Sequence, residues 1–140
     1  MTAGPAPRPD RADPDSLSVL LVHTVPGGGS HLDWLIERPG TEEERRLIAF
    51  RCAHDPLTAP DLEAERIADH RAIYLDYEGP ISGGRGGVRR LWRVGCRLLS
   101  ESGDEIRVVL IPESGGARTV RLVRTAASTW RAVWIGAGAG

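Results

Sequence analysis

Apolar and polar residues alternate with a period of two through most of this chain. Leu32, Trp34 and Ile36 interleave with His31, Asp33 and Leu35, and Ile106, Val108 and Leu110 with Arg107, Val109 and Ile111. Val120 and Leu122 alternate with Arg121 and Val123, and the segment Trp130–Ile135 continues in the same manner. Side chains at i and i+2 share one face of a strand, so each run predicts a strand with one face on a core. Turn-forming residues punctuate the runs at Pro26–Gly29, Pro39–Gly40, Gly83–Gly87, Ser102–Asp104 and Ser114–Gly116. The pattern predicts an antiparallel sheet or barrel. One stretch differs: in Ala59–Asp69, Asp61 suits a cap, and Leu62, Arg66 and Ile67 have helical spacing, which predicts one short helix.

With 140 residues the chain has room for one core and one domain. Residues 1–15 are rich in Pro, Ala and charge and lack apolar periodicity, which predicts a disordered leader. Residues 136–140 predict a flexible tail, leaving 16–135 as the folded domain. A net charge of -1 excludes a large positive field over the whole molecule. The signs are nonetheless segregated. All 18 basic residues are arginine, and ten of them lie between Arg85 and Arg131. Cys52 and Cys96 are isolated, so neither a zinc knuckle nor a disulfide framework is predicted. No apolar run reaches membrane-spanning length and no signal peptide is evident, so the expectation is a cytoplasmic protein without membrane contact.

Three of the four histidines stand beside carboxylates or a tyrosine. On one strand His31 and Asp33 project together, about 7 Å apart at the backbone. His23 ends the apolar run Val19–Val22, and the Gly-rich segment after it predicts a hairpin that returns His31 beside His23. Two imidazoles and one carboxylate suit a catalytic cation site with open positions. A hydrogen-bonded surface pair is the plainer reading of the same spacing. Downstream, reading His70–Gly79 as one strand puts His70 and Tyr74 on the same side as Asp76 and Glu78. A histidine and a tyrosine hydroxyl are suited to an anionic phosphoryl oxygen. The Gly79–Gly87 loop carries little side-chain bulk, so its amides and Arg85 could approach a phosphate. His54 falls in a predicted turn and is given no role.

Taken together, the order is His, then His-x-Asp-Trp-x-x-Glu, then Asp-His-x-x-x-Tyr-x-Asp-Tyr-Glu-Gly and a Gly-rich turn. Over about Val19–Val94 this resembles the 3'-phosphoesterase domain of bacterial DNA ligase D and its standalone relatives, the DNA polymerase/ligase-like N-terminal domain family. The resemblance implies a small closed or partly open antiparallel β-barrel with one short flanking helix. It implies a Mn2+-dependent phosphoesterase, with other divalent cations as alternatives. Its reaction would remove 3'-phosphates or 3'-terminal ribonucleotides from DNA or RNA/DNA ends in end-joining repair. Ligase, polymerase or Ku-like repair proteins would be candidate companions. On the matching positions, His23, His31 and Asp33 would be the metal ligands, and His70 and Tyr74 would contact the scissile phosphate. Glu37 and Glu78 match flanking acidic positions, and Arg51 lies near a phosphate-contacting one. Two departures stand out. Leu35 occupies the position of the family's phosphate-gripping arginine, and the His23–His31 gap is two residues longer. Arg51, Arg85 and Arg89 are candidate substitutes. A barrel that binds DNA ends or a repair partner without turnover, and an unrelated metal-binding barrel acting on a small phosphorylated metabolite, are the competing expectations.

Overall fold

The structure is a computed structural model and describes residues 16–136. The predicted leader, and the tail beyond Gly136, lie outside the described residues. The strands in chain order are β1 (Ser16–Thr24), β2 (Ser30–Glu37), β3 (Leu47–Cys52), β4 (Asp61–His70), β5 (Gly79–Pro80), β6 (Gly87–Glu101), β7 (Glu105–Ile111), β8 (Arg118–Arg124) and β9 (Thr129–Gly136). Every pairing among them is antiparallel. Eight strands form a ring in the order β1-β2-β3-β4-β9-β8-β7-β6, which closes when β6 pairs with β1. The short β5 lies against the first residues of β6. The expected all-β barrel is the observed architecture.

The interior is built from one parity of each strand. Leu20, Trp34, Ile36, Ile48, Phe50, Leu62, Val94, Ile106, Val108, Leu110, Leu122 and Trp130 form a continuous buried cluster. Phe50 stacks edge-on against Trp130 and tilts against Trp34, with centroids 5.4 and 6.3 Å apart. The indole N–H of Trp34 donates to Ser18 Oγ at 2.8 Å, and that hydroxyl donates on to the Leu35 carbonyl at 2.8 Å. The buried indole N–H and the Ser18 hydroxyl are therefore both satisfied. Arg66 stands over the faces of Phe50 and Trp130, and its guanidinium joins Arg38, Asp69 and Glu101 in an ionic cluster. Arg38 reaches Glu101 with two bonds of 2.8 and 2.6 Å, and their mutual attraction holds its pKa well above the ordinary range.

A second apolar cluster lies on the outside of the wall. Val19, Leu21, Leu35, Leu47, Ala49, Leu75 and Val88 are buried there, with Ile67, Tyr74, Tyr77 and Ile81 packed around them. β1 and β3 are thus buried on both faces, which explains why they read as unbroken apolar runs rather than as alternation. The cover is the segment between β4 and β6, here called the strap.

Two sequence expectations fail at β4 and at the strap that follows it. The predicted helix over Ala59–Asp69 does not form. Asp61–His70 is instead β4, paired with β3 on one side and β9 on the other. Leu62 and Ala64 enter the core while Asp61, Glu63 and Glu65 stay exposed. A period of two was present beneath residues that favour helices, and pairing on both edges overrides that propensity. Nor is His70–Gly79 one strand. It breaks after His70 into a 3-10 turn, Ala72–Leu75, which drops Leu75 into the outer cluster, and among the described residues this turn is the only helical element. No described helix is long and apolar enough to cross a membrane.

Candidate active site

Antiparallel pairing of β1 and β2 sets His23 directly across from His31, as the hairpin spacing predicts. Their rings meet edge to face with centroids 5.7 Å apart. In the next row of the same outer face, Leu21, Asp33, Arg51 and Glu65 are cross-strand neighbours on β1 to β4. The strap packs over the Leu21 end of this row, where the Asp33 side chain is only 4% exposed, while Arg51 and Glu65 reach solvent. His23 Nδ1 lies 3.6 Å from Asp33 Oδ2, and Arg51 Nε lies 3.7 Å from Asp33 Oδ1. Both distances exceed a hydrogen bond. Asp33 Oδ1 and Arg51 Nε are buried atoms without a hydrogen-bond partner. A buried carboxylate left in this state carries a desolvation cost that a proton or cation would relieve.

A divalent cation sets a definite spacing for its donors. Two ligands about 2.1 Å from one ion stand roughly 3.0 to 3.4 Å apart in octahedral or tetrahedral geometry. His23 Nδ1 and Asp33 Oδ2, at 3.6 Å, are close to that spacing. His31 adjoins both as the cross-strand partner of one and two residues before the other. Among the described residues no three His, Cys, Asp or Glu side chains are already gathered tightly enough to enclose an ion. One histidine–carboxylate pair, His23 and Asp33, thus stands near ligand spacing, with His31 beside it in the β1–β2 register.

The strap brings the second motif to the same place. His70 Nδ1 donates to the Ala68 carbonyl at 2.8 Å, and the His70 ring meets Tyr74 edge to face at 5.9 Å. Tyr74 in turn packs on Tyr77 at 6.1 Å. The four-residue spacing is thus realised through a 3-10 turn, not through a shared strand face. Asp76 and Glu78 leave that face. Asp76 pairs with Arg93, and Glu78 accepts from the Arg90 amide.

One cleft, with a volume of about 220 Å3, joins these groups. His23, Asp33, His70 and Tyr74 line it, and Arg45, Arg71 and Arg85 stand at its edge. Arg71 is paired with Glu44 at 2.6 Å. Arg45 and Arg85 bond backbone carbonyls of Asp69 and Ser82, and among the described residues neither is paired with a carboxylate. Sequence reasoning had named Arg85 but missed Arg45 and Arg71. Arg71 follows His70 directly, which is the one signal that was readable. Arg51 lies on the far side of Asp33 and borders a separate groove with Glu63 and Thr129. Arg89 is exposed on β6, opposite Val22. Leu35 is fully buried in the outer cluster and forms part of the wall beneath Asp33. Glu37 accepts from the Leu17 amide and from Arg46, which gives it a structural task.

Most other arginines of the basic half are also occupied. Arg107 and Arg121 share Glu105, Arg124 pairs with Asp104, and Arg131 with Asp61. Glu105 is held below the usual carboxylate range by the hydrogen bonds from Arg121 and Arg107. Arg90 and Arg93 tie the strap down through the Leu75 carbonyl. Arg118 is buried against Trp134, donates to the Pro56 carbonyl, and is lowered to about 10 by burial. Burial also pushes the Cys52 thiol up, helped by the charges of Asp33 and Asp55. No protein-family model matches the chain, and no curated protein does.

Proposed function

We propose that the protein is a divalent-cation-dependent phosphoesterase that acts on DNA 3' ends, removing a 3'-phosphate or a 3'-terminal ribonucleotide during end joining. The observation that carries this reading is the one cleft in which His23 and Asp33 meet His70 and Tyr74 beneath Arg45 and Arg85, neither of which has a carboxylate partner among the described residues. His23, Asp33 and His31 would hold the ion, with Mn2+ the first choice. When bound, it would supply Lewis-acid polarisation of a phosphoryl oxygen and a more acidic water.

The chain's own groups supply the rest. The Tyr74 hydroxyl can donate to a non-bridging phosphoryl oxygen. His70, with Nδ1–H fixed on the Ala68 carbonyl, has Nε2 left to pass a proton to the leaving oxygen when the ring is charged. Arg45 and Arg85 would orient the phosphate by charge-assisted bonds, each worth about 1.5 to 3 kcal/mol. They stand in for the arginine that Leu35 replaces.

A second reading, a barrel that holds DNA ends without turnover, is favoured by the apolar side chain at Leu35. One assay separates the two. A primer-template with a 3'-phosphate or one 3'-ribonucleotide is incubated with and without Mn2+, beside His31→Ala and Asp33→Asn. Mn2+-dependent release that both variants lose is the expected result. Binding of the end with no release by the wild-type protein would establish the second reading, and neither binding nor release would exclude both.

A further inference from the structure

His23 is held from two sides. Its Nε2 lies 3.0 Å from the Arg85 carbonyl oxygen, across 62 residues of chain, and its Nδ1 faces Asp33. A carbonyl oxygen only accepts, so Nε2 must carry a proton. In the neutral ring Nδ1 is then a lone pair directed at a carboxylate. Two electron-rich atoms at 3.6 Å are the arrangement that a cation between them resolves.

How the carbonyl reaches His23 is also visible. The strap returns to β6 through a tight turn in which the Ile81 amide donates to the Gly86 carbonyl at 2.7 Å. The Arg85 side chain folds back onto Ser82 and fixes the same turn. The turn lies on the end of β1 so closely that a Cβ on Gly86 would sit 1.8 Å from the Thr24 carbonyl oxygen. Gly86 also has a φ of +87°, a conformation that side chains rarely adopt. With any other residue at this position the turn has to lift off β1, and the Arg85 carbonyl lifts with it.

The geometry points to a positioning role for this turn. The Arg85 carbonyl selects the Nε2–H tautomer of His23, which aims Nδ1 at the space beside Asp33, and Gly86 is the positioning residue that allows the carbonyl to reach. Gly-rich loops invite assignment as phosphate cradles. Here the glycine serves the approach of one backbone segment to another. The inference rests on the proposed function for the identity of the ion, but not for the state of the ring.

Long-range 1H–15N spectra of the ion-free protein read the tautomer directly, in mildly alkaline buffer with His31→Gln to assign the signals. The expected result is His23 with its proton on Nε2. Zn2+, a diamagnetic probe, should then shift Nδ1 and leave the Nε2–H signal in place. In Gly86→Ala the two nitrogens should move towards a mixed tautomer, and Zn2+ affinity should fall about 10- to 100-fold, as for other partners of metal-binding histidines. A proton on Nδ1 in the wild-type protein overturns the inference. So does a folded Gly86→Ala variant with an unchanged spectrum. If that variant does not fold, the exchange of the wild-type Nε2 proton decides: protection from solvent supports a bond to the Arg85 carbonyl, and exchange as fast as that of a free ring overturns it. An Nε2–H ring that ignores Zn2+ upholds the positioning role and removes the cation reading instead.

Discussion

The two walls of the barrel have the same inside and different outsides. β7 and β8 alternate cleanly, with Ile106, Val108, Leu110, Val120 and Leu122 inward and Arg107, Arg121 and Val123 outward. Their outer face is wet and carries short-range ion pairs. β1, β2 and β3 bury the inner face equally well, yet Val19, Leu21, Leu35, Leu47 and Ala49 are buried on the outer face too. Among the described residues this wall alone has a second layer, and the candidate site lies between wall and strap. A strand face that meets solvent can hold charges cheaply but cannot isolate them. A covered face can keep an aspartate 4% exposed, with a carboxylate oxygen lacking any hydrogen bond. The cover is what turns an outward-facing row of polar residues into a place with its own electrostatics.

The comparison can be broken by truncating one apolar residue on each outer face. Leu35→Ala should cost about 3 kcal/mol, within the range for buried leucines, whereas Val123→Ala should cost less than about 1 kcal/mol. Urea denaturation of both variants measures the difference, and equal losses would mean that the strap contributes no real core. A smaller effect comes from Cys52, on β3 of the covered wall. Its folded pKa is raised above the unfolded value, so stability is fully present below about pH 9. As pH rises further, the unfolded chain releases the thiol proton and the folded one does not. Stability should then fall by up to about 1.4 kcal/mol per pH unit, a slope that Cys52→Ala removes from denaturation curves taken across that range. The smallest effect belongs to the wet wall. Glu105→Gln should shift the midpoint by no more than replicate scatter, and high salt should erase even that.

How much of this was legible depended on whether the cause was local. The alternation in Ile106–Leu110 and Leu32–Ile36 reads straight from side-chain direction, and so does the His23–His31 pairing, because a short Gly-rich loop joins the two strands. β4 was misread because Leu62, Arg66 and Ile67 satisfy a helical spacing as well as Leu62 and Ala64 satisfy a strand. The deciding factor, two partner strands from distant parts of the chain, is not in the segment. The 3-10 turn escaped for a related reason. Tyr74 and Asp76 alternate plausibly, but Leu75 is drawn to an apolar surface that β1 and β3 create. Arg45 and Arg71 belong to segments that no period connects, and they share the cleft only because the strap folds over it. The motifs themselves were readable, whereas their assembly into one cleft was a tertiary event.

The closing pair of the ring has a kinetic consequence. β6 pairs with β1 along its first part and with β7 along its last, and the outermost of its contacts with β1 links Ser16 to Cys96. About 80 residues must therefore be gathered before that seam can zip, and the β4–β9 seam spans a comparable loop. Hairpins such as β1–β2 can form within microseconds, but the seams are the slow, non-local steps that set the rate for this kind of topology. His23 lies on β1 and the turn that holds it leads directly into β6, on the two sides of the β1–β6 seam. The candidate site thus depends on one of these slow, non-local steps, and a ribosome-bound chain that has not yet released β6 carries the two histidines without the turn that holds His23.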